Sequence, residues 1–284
     1  MNDLGESVPA LLRAYGLRPQ KRLGQNFLMD PSALGRIIAA ADLSPEDTVV
    51  EVGAGLGTLT RLLVRHAGRV VAVELDARLV KVLTDRLADL RHLQIIQGDI
   101  LSLSDLGVVH LGYKVVGNLP YYITSAILRH FLENEPRPRL LAVTVQREVA
   151  ERIIARPPHM SLLAVGVQFY GRPRIVARIP AGAFYPPPKV DSAVVRIDVS
   201  EQPTIPLDQG LDSTDFFRVL RAGFGQKRKT LRNSLSAGLG IPPAQVEKAL
   251  GLAGIDPRRR AETVDLAEWA KLARCLKSLP SGLP

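Results

Sequence analysis

Between residues 48 and 145 the chain alternates short β-branched runs with amphipathic segments of helical period. This alternation restricts the fold more than any other feature, because it is the pattern of a parallel sheet whose strands are joined by crossover helices. Stretches 49–52, 70–73, 93–96, 114–116 and 140–145 read as strands. Stretches 58–66, 77–88 and 123–133 read as helices, the last with Ile123, Ala126, Ile127 and Phe131 on one face. A helix over 31–41 precedes the sheet, with Asp30 as N-cap and Pro31 in its first turn. A late strand covers 190–199. Residues 200–213 are rich in Pro, Gly and polar side chains without periodicity, which marks a domain boundary. Beyond it, 216–224, 227–237, 243–250 and 266–277 have helical spacing. The expected architecture is α/β: a Rossmann-like sheet domain over 1–200, with an N-terminal segment 1–30, and a small all-helical domain over 201–284.

Three strand ends place ligand-binding chemistry on one edge of that sheet. The first strand runs into Gly53-Ala54-Gly55-Leu56-Gly57, a turn where a ligand can approach the backbone. Its third glycine falls one residue early for the dinucleotide fingerprint, which argues against NAD; taken alone, the turn is equally a tight connection to a helix. Glu74 ends the second strand, where an acid can accept hydrogen bonds from ribose hydroxyls. Gly98-Asp99-Ile100 ends the third; Asp99 suits an exocyclic amine such as adenine's and, on its own, a helix cap. Together they fit a ligand with ribose and adenine but no pyrophosphate.

The fourth strand ends in Gly117-Asn118-Leu119-Pro120-Tyr121-Tyr122. Adenine N6 is a poor nucleophile because its lone pair is delocalised into the ring. Two acceptors for its N–H groups localise that pair toward an incoming methyl group. The Asn118 side-chain carbonyl and the Leu119 backbone carbonyl, held open by Pro120, are candidates for the pair, and Tyr121 offers a ring for the base to stack on. The same residues also make an ordinary Pro-containing turn with two packed tyrosines.

Composition sets the partners. Of 284 residues, 37 are Lys or Arg and 28 Asp or Glu, a net charge of +9, so the field attracts polyanions such as nucleic acid. Cys275 is the single cysteine, which excludes an internal disulfide and a cysteine-based metal cluster and suits a reducing, cytoplasmic setting. His66, His92, His110, His130 and His159 lack metal-ligand spacing, so no metal is expected. The first residues, Met1-Asn2-Asp3-Leu4-Gly5-Glu6, lack signal-peptide character, and no apolar run approaches a membrane span. Gln226-Lys227-Arg228-Lys229-Thr230-Leu231-Arg232-Asn233 opens the second C-terminal helix, and Arg258-Arg259-Arg260 forms another basic cluster; both suit phosphates, though a charge run on a helix is also a solvated face.

With these residues in view, the chain resembles the ribosomal RNA adenine dimethyltransferases, and the bacterial small-subunit branch more than the large-subunit one. The likeness rests on Lys21-Arg22-Leu23-Gly24-Gln25-Asn26-Phe27-Leu28, the 51–60 turn, 71–76, Gly98-Asp99-Ile100-Leu101 and Asn118-Leu119-Pro120-Tyr121-Tyr122. It continues through Gln146-Arg147-Glu148-Val149-Ala150-Glu151-Arg152, Phe184-Tyr185-Pro186-Pro187-Pro188-Lys189-Val190-Asp191-Ser192 and the helical tail. The resemblance implies a class I methyltransferase sheet with S-adenosyl-L-methionine as cofactor. By it, Asn26 and Leu28 help close the cofactor pocket, Gly53 meets the methionine part, Glu74 the ribose and Asp99 the adenine, with Gly55 also cofactor-binding. Asn118 borders cofactor and target, and Phe184 sandwiches the flipped adenine opposite Tyr121. From the residues alone, Asn26 and Phe27 are equally a helix-entry turn and a core aromatic, and Phe184 is packing beside a rigid Pro stretch. The implied RNA contacts are Lys227, Arg228, Lys229 and Arg232, and the implied partner is ribosomal RNA within an immature small subunit, met by a monomer. The chain departs from the family between 155 and 168, where a longer segment with a Tyr-Gly-Arg-Leu pattern is usual and this sequence reads Arg156-Pro157-Pro158-His159-Met160-Ser161-Leu162-Leu163.

Three other functions share parts of this pattern. A DNA adenine methyltransferase uses the same Asn-x-Pro-Tyr turn but adds a base-reading domain not evident here. A large-subunit enzyme of the antibiotic-resistance type shares the architecture. A non-catalytic ribosome-assembly factor would have no need of Gly53, Glu74, Asp99 and Asn118.

Overall fold

The computed structural model describes residues 7–87, 89–103, 112–207 and 211–279; the first six residues and His110 lie outside the described residues. The chain divides into two compact units, Met1–Ala150 with Pro173–Val199, and Glu151–Arg172 with Ser200–Pro284. The division near 200 is accompanied by an excursion of 151–172 into the second unit, which the single boundary expected from composition does not include.

The first unit opens with α1 (Val8–Ala14), β1 (Phe27–Leu28), α2 (Pro31–Ala41) and β2 (Thr48–Val52). Next come α3 (Thr58–His66), β3 (Arg69–Glu74), α4 (Ala77–Leu87), β4 (Leu93–Gln97), β5 (Lys114–Asn118), α5 (Thr124–Glu133), β6 (Leu140–Gln146) and α6 (Arg147–Ile153). After α7 (Leu162–Tyr170), the sheet is completed by β7 (Gly171–Ile179), β8 (Phe184–Tyr185) and β9 (Ser192–Val199). The second unit contains α7, α8 (Ser213–Phe224), α9 (Leu231–Leu239), α10 (Pro243–Ala253) and α11 (Leu266–Lys277).

Seven strands run in the order β4-β3-β2-β5-β6-β9-β7, parallel from β4 to β6, with β9 antiparallel to β6. The chain winds outward from β2 through β3 to β4, then returns to the other side of β2 as β5. The carboxyl ends of β2 and β5 therefore flank a topological switch point, where open α/β sheets leave a crevice for ligands. The central strands β2, β3, β5 and β6 are buried on both faces, as their near-continuous Val and Ile runs require. Under one face, Leu34, Ile37 and Ala41 of α2 and Leu63 of α3 pack with Val49, Val70, Val116 and Val194. At the opposite end of β5 from the crevice, the buried Lys114 pairs with Asp47 at 2.9 Å and Arg139 pairs with the same carboxylate. Burial pushes the Asp47 carboxyl up, but Lys114, the Ser44 amide and Arg139 together hold it below its ordinary value.

In the second unit Phe169 and Tyr170 of α7 stack on Phe216 and Phe217 of α8, with ring centroids 4.7 and 5.7 Å apart. Trp269 of α11 is fully buried against Gly223, where an added Cβ would sit 2.4 Å from the indole. Arg259 is bound to the Glu268 carboxylate and the Thr263 carbonyl, so it belongs to this framework. Among the described residues no helix is long and apolar enough to cross a membrane.

Several elements differ from the expectation. The helix expected from 227 begins at Leu231: Thr230 is its N-cap, accepting from the Asn233 amide, and the Leu231 amide donates to the Arg259 carbonyl. Lys227, Arg228 and Lys229 thus stand exposed in the preceding turn. The helix expected from 123 starts at Thr124 after a short 3-10 turn, Tyr121–Ile123. The elements α1, α6, α7 and β7 lay outside the sequence assignment. In α7, Leu162-Leu163-Ala164-Val165-Gly166-Val167 is apolar almost all round and has no amphipathic period to read. In β7, Pro173 argues against a strand, yet β7 is at the sheet edge, where a missing donor is tolerated.

Candidate active site

The glycine turn needs its glycines: Gly53, Gly55 and Gly57 take φ of +74°, +59° and +79°. Gly53 and Ala54 donate their amides to the Val73 carbonyl, which folds the turn against the end of β3. There Glu74 is 7% exposed and has both carboxylate oxygens engaged. Oε2 accepts from the Gly55 amide and Oε1 from the Asp76 amide, each at 2.9 Å. Burial raises the Glu74 carboxyl above its ordinary value, only partly offset by those two amides. Each oxygen keeps a second lone pair for a ligand hydroxyl.

Asp76 fastens the N-terminal segment over this edge. Its carboxylate forks to Arg78 and accepts from Gln25 Nε2 at 3.0 Å; led by the Arg78 bond, these partners bring its carboxyl down to about 2. Gln25 Oε1 in turn accepts from the Gln20 amide at 2.7 Å. Phe27 and Leu28 then pair with Tyr185 and Phe184 in a two-stranded ribbon. The Phe27 ring covers Gly55, 3.3 Å from where a Cβ would be.

At the end of β5, Asn118 Nδ2 donates to the Asn26 backbone carbonyl at 2.8 Å. Because a carbonyl can only accept, this bond fixes the amide orientation. Among the described residues, Asn118 Oδ1 is left buried with no hydrogen-bond partner. The Leu119 amide donates to the Thr144 carbonyl at 3.1 Å, tying the turn to β6, and Pro120 accepts from the Ile123 amide. The Tyr121 hydroxyl is 2.6 Å from Ser192 Oγ on β9; burial raises its phenol, and the Ser192 bond lowers it.

Asn26, Leu28, Gly53, Gly55, Glu74, Asp99 and Asn118 all line one cavity between these strand ends, together with Pro120. Asp99 is exposed, and one of its oxygens accepts from the Leu101 amide at 3.0 Å, so it serves its own turn while facing the cavity. Leu119, Tyr121 and Phe184 do not line it. Phe184 is 1% exposed and belongs to a buried cluster with Leu28, Leu34, Ile179 and Ala183. The implied RNA-contact residues belong to the second unit, and Arg232 is engaged with Glu247 of α10 at 2.7 Å.

Among the cavity residues to which the sequence reading gave no site role are Glu51, Gln25, Leu75 and Tyr122. Leu75 is 46% exposed beside Glu74, an apolar side chain left open at a strand end, and Tyr122 is 58% exposed with its ring against Gly24. Glu51 had a legible signal, an acid inside an otherwise apolar strand.

The Rossmann-like sheet, its glycine turn and the buried acid at the end of the next strand form one ligand-binding edge at the switch point. The chain belongs to the ribosomal RNA adenine dimethylase family, whose model matches residues 16–278. It is 49% identical over 264 residues to the Ribosomal RNA small subunit methyltransferase A of Dehalococcoides mccartyi, covering 92% of this chain and 90% of that one. With the protein of the same name from Moorella thermoacetica it shares 42% identity, over 94% and 96% of the two chains. Among solved structures, the 23S rRNA methyltransferase ErmE matches with a TM-score of 0.68 at 29% identity, over 88% of this chain and 99% of that one. A dimethyladenosine transferase from Plasmodium falciparum matches in fold with a TM-score of 0.70 at 24% identity, over 87% and 95%.

Proposed function

We propose that this chain transfers methyl groups from S-adenosylmethionine to N6 of adenines in small-subunit ribosomal RNA, acting on an immature small subunit. The observation that carries the reading is Asn118 Oδ1: a buried acceptor without a partner, beside the cavity, on a side chain whose other end is fixed. Such atoms are rare in folded proteins because an unmade bond costs about 1–3 kcal/mol, and one at a ligand edge is explained by a ligand that donates to it.

The cavity residues fit the cofactor. Glu74 would receive the ribose hydroxyls, Asp99 the adenine amine, Leu75 and Ile100 the adenine faces, and the Gly53 turn the amino-acid end. When bound, S-adenosylmethionine supplies an already activated methyl on a sulfonium. The protein's work is then alignment and charge. Asn118 Oδ1 and the Leu119 carbonyl accept from the two N6 hydrogens, directing the lone pair outward and supporting the amine as it becomes cationic. Tyr121, held by Ser192, gives the base a stacking face. The exposed Lys227, Arg228 and Lys229 would hold phosphates without choosing the base. Higher identity to small-subunit enzymes than to the large-subunit structure supports the choice of substrate over the resistance-type alternative.

The test is transfer of labelled methyl from S-adenosylmethionine to purified small subunits lacking the modification, with naked RNA, large subunits and duplex DNA as controls. Dimethyladenosine in small-subunit RNA is expected. Binding to subunits without transfer would instead favour an assembly factor. A related expectation concerns the N-terminal segment. Gln25→Ala removes the tie to Asp76 and should weaken cofactor binding about tenfold, roughly 1.4 kcal/mol, with turnover at saturation changed less than about twofold. Calorimetric titration and steady-state kinetics separate the two; an equal loss in turnover would place Gln25 in the transfer step.

A further inference from the structure

Glu51 is the buried acid that the transfer chemistry leaves unused. It lies one residue before the end of β2, is 1% exposed, and lines the cavity wall with Oε2 buried and without a hydrogen-bond partner among the described residues. Its surroundings do not favour a charge. On β3 the facing charged group is Glu74, another carboxylate, already committed to two backbone amides. On α3 it faces the Thr60 hydroxyl. Its register neighbours in the sheet are Ala72 on β3 and Val116 on β5, both fully buried and apolar. Burial therefore pushes the Glu51 carboxyl up to about 8, the Thr60 hydroxyl offsetting this only in part and the Glu74 charge adding to it.

The sheet order says which part of a ligand would meet it. With Asp99 after β4 at the adenine and Glu74 on β3 at the ribose, β2 is the next strand toward Asn118 on β5. On the proposed function, on which this inference rests, that position receives the cationic amino-acid end of the cofactor. We propose that Glu51 answers the positive charge of the cofactor by releasing its proton to solvent as the cofactor enters, so that binding and proton release are one event. No covalent bond changes other than the carboxyl O–H, and the proton goes to the buffer. A carboxyl that is neutral in the empty site and ionised in the filled one spares the apo protein a buried, unpaired charge, yet gives the cation a counter-ion.

The experiment is calorimetric titration of the full chain with S-adenosylmethionine at pH 7, in buffers of differing ionisation enthalpy. About one proton released per cofactor is expected, declining as pH passes above about 8. Glu51→Gln, which mimics the neutral form in shape, should abolish the release and weaken binding about tenfold or more. S-adenosylhomocysteine, which keeps the ammonium and lacks the sulfonium charge, identifies which cationic group is answered: release persists if it is the ammonium and disappears if it is the sulfonium. A second readout needs no cofactor. The folded-state value of Glu51 lies above its unfolded one, so its contribution to stability is present at low pH and lost as pH rises toward about 8. Apo Glu51→Gln should accordingly gain thermal stability over wild type between about pH 5 and 8. Binding by wild type without buffer-dependent heat, or undiminished release in Glu51→Gln, overturns the inference and leaves the cofactor assignment standing. No binding at all overturns both.

Discussion

Asn118→Ala should lose about 10²–10³-fold in methyl transfer measured in a single turnover, while its affinity for cofactor falls about tenfold or less. The two effects separate because the side chain has two ends. Oδ1 has no partner among the described residues; on the proposed function it accepts from the target amine, and deleting it would withdraw an acceptor from a group that is gaining positive charge. Nδ2 holds the Asn26 carbonyl, and deleting it loosens one attachment of the segment covering the cofactor, which Gln25 and the Phe27–Leu28 ribbon still retain. Asn118→Asp keeps an acceptor but sets a carboxylate against the Asn26 carbonyl, and should fall between wild type and the alanine variant. If Asn118→Ala retained more than a tenth of the transfer rate, the turn after β5 would not be where the amine is activated.

The residue before it carries the second large expectation. Gly117 sits where β5 passes β2, and a Cβ there would be 2.6 Å from the Val52 carbonyl oxygen. That neighbour is buried backbone at the end of the parallel β2–β5 pair, so it cannot swing away as a side-chain tip would. Gly117→Ala must push β5 from β2 or break the ladder beside Glu51 and Val116. Overpacking of this kind costs about 1–3 kcal/mol, and here the displaced strand end is the one that aims Asn118. The variant should unfold at clearly lower urea concentration and lose about 10²-fold in transfer even where it remains folded, because ångström misplacement of reacting groups has that effect. Normal stability with normal transfer would show that the two strands have slack at this point.

Much of this was legible in residues whose chemistry is local. Asp30 and Pro31 announced α2, the three glycines announced a tight turn into a helix, and the acids at the strand ends announced the edge that the cavity occupies. What escaped depended on neighbours far along the chain. Phe184 has the composition of a stacking residue, but its pairing with Leu28 buries it in the core. The basic run at 227–229 has helical spacing, but Thr230 stops the helix short of it. Glu51 reads as a strand residue until β3 brings Glu74 beside it. In α7 the uniformly apolar face has no period, because its partners, Phe216 and Phe217, lie some fifty residues later.

That last arrangement has a consequence for how the chain is made. The ribosome delivers α7 before β7 and β9, so the sheet of the first unit is completed after a stretch whose own companions have not yet been synthesised. Until α8 emerges, Phe169 and Tyr170 lack the Phe216 and Phe217 rings they stack on, and a chain stopped at Val199 would never supply them. The catalytic unit therefore cannot be excised with one cut; a soluble fragment would also require the 151–172 excursion to be replaced by a short polar connection between α6 and β7.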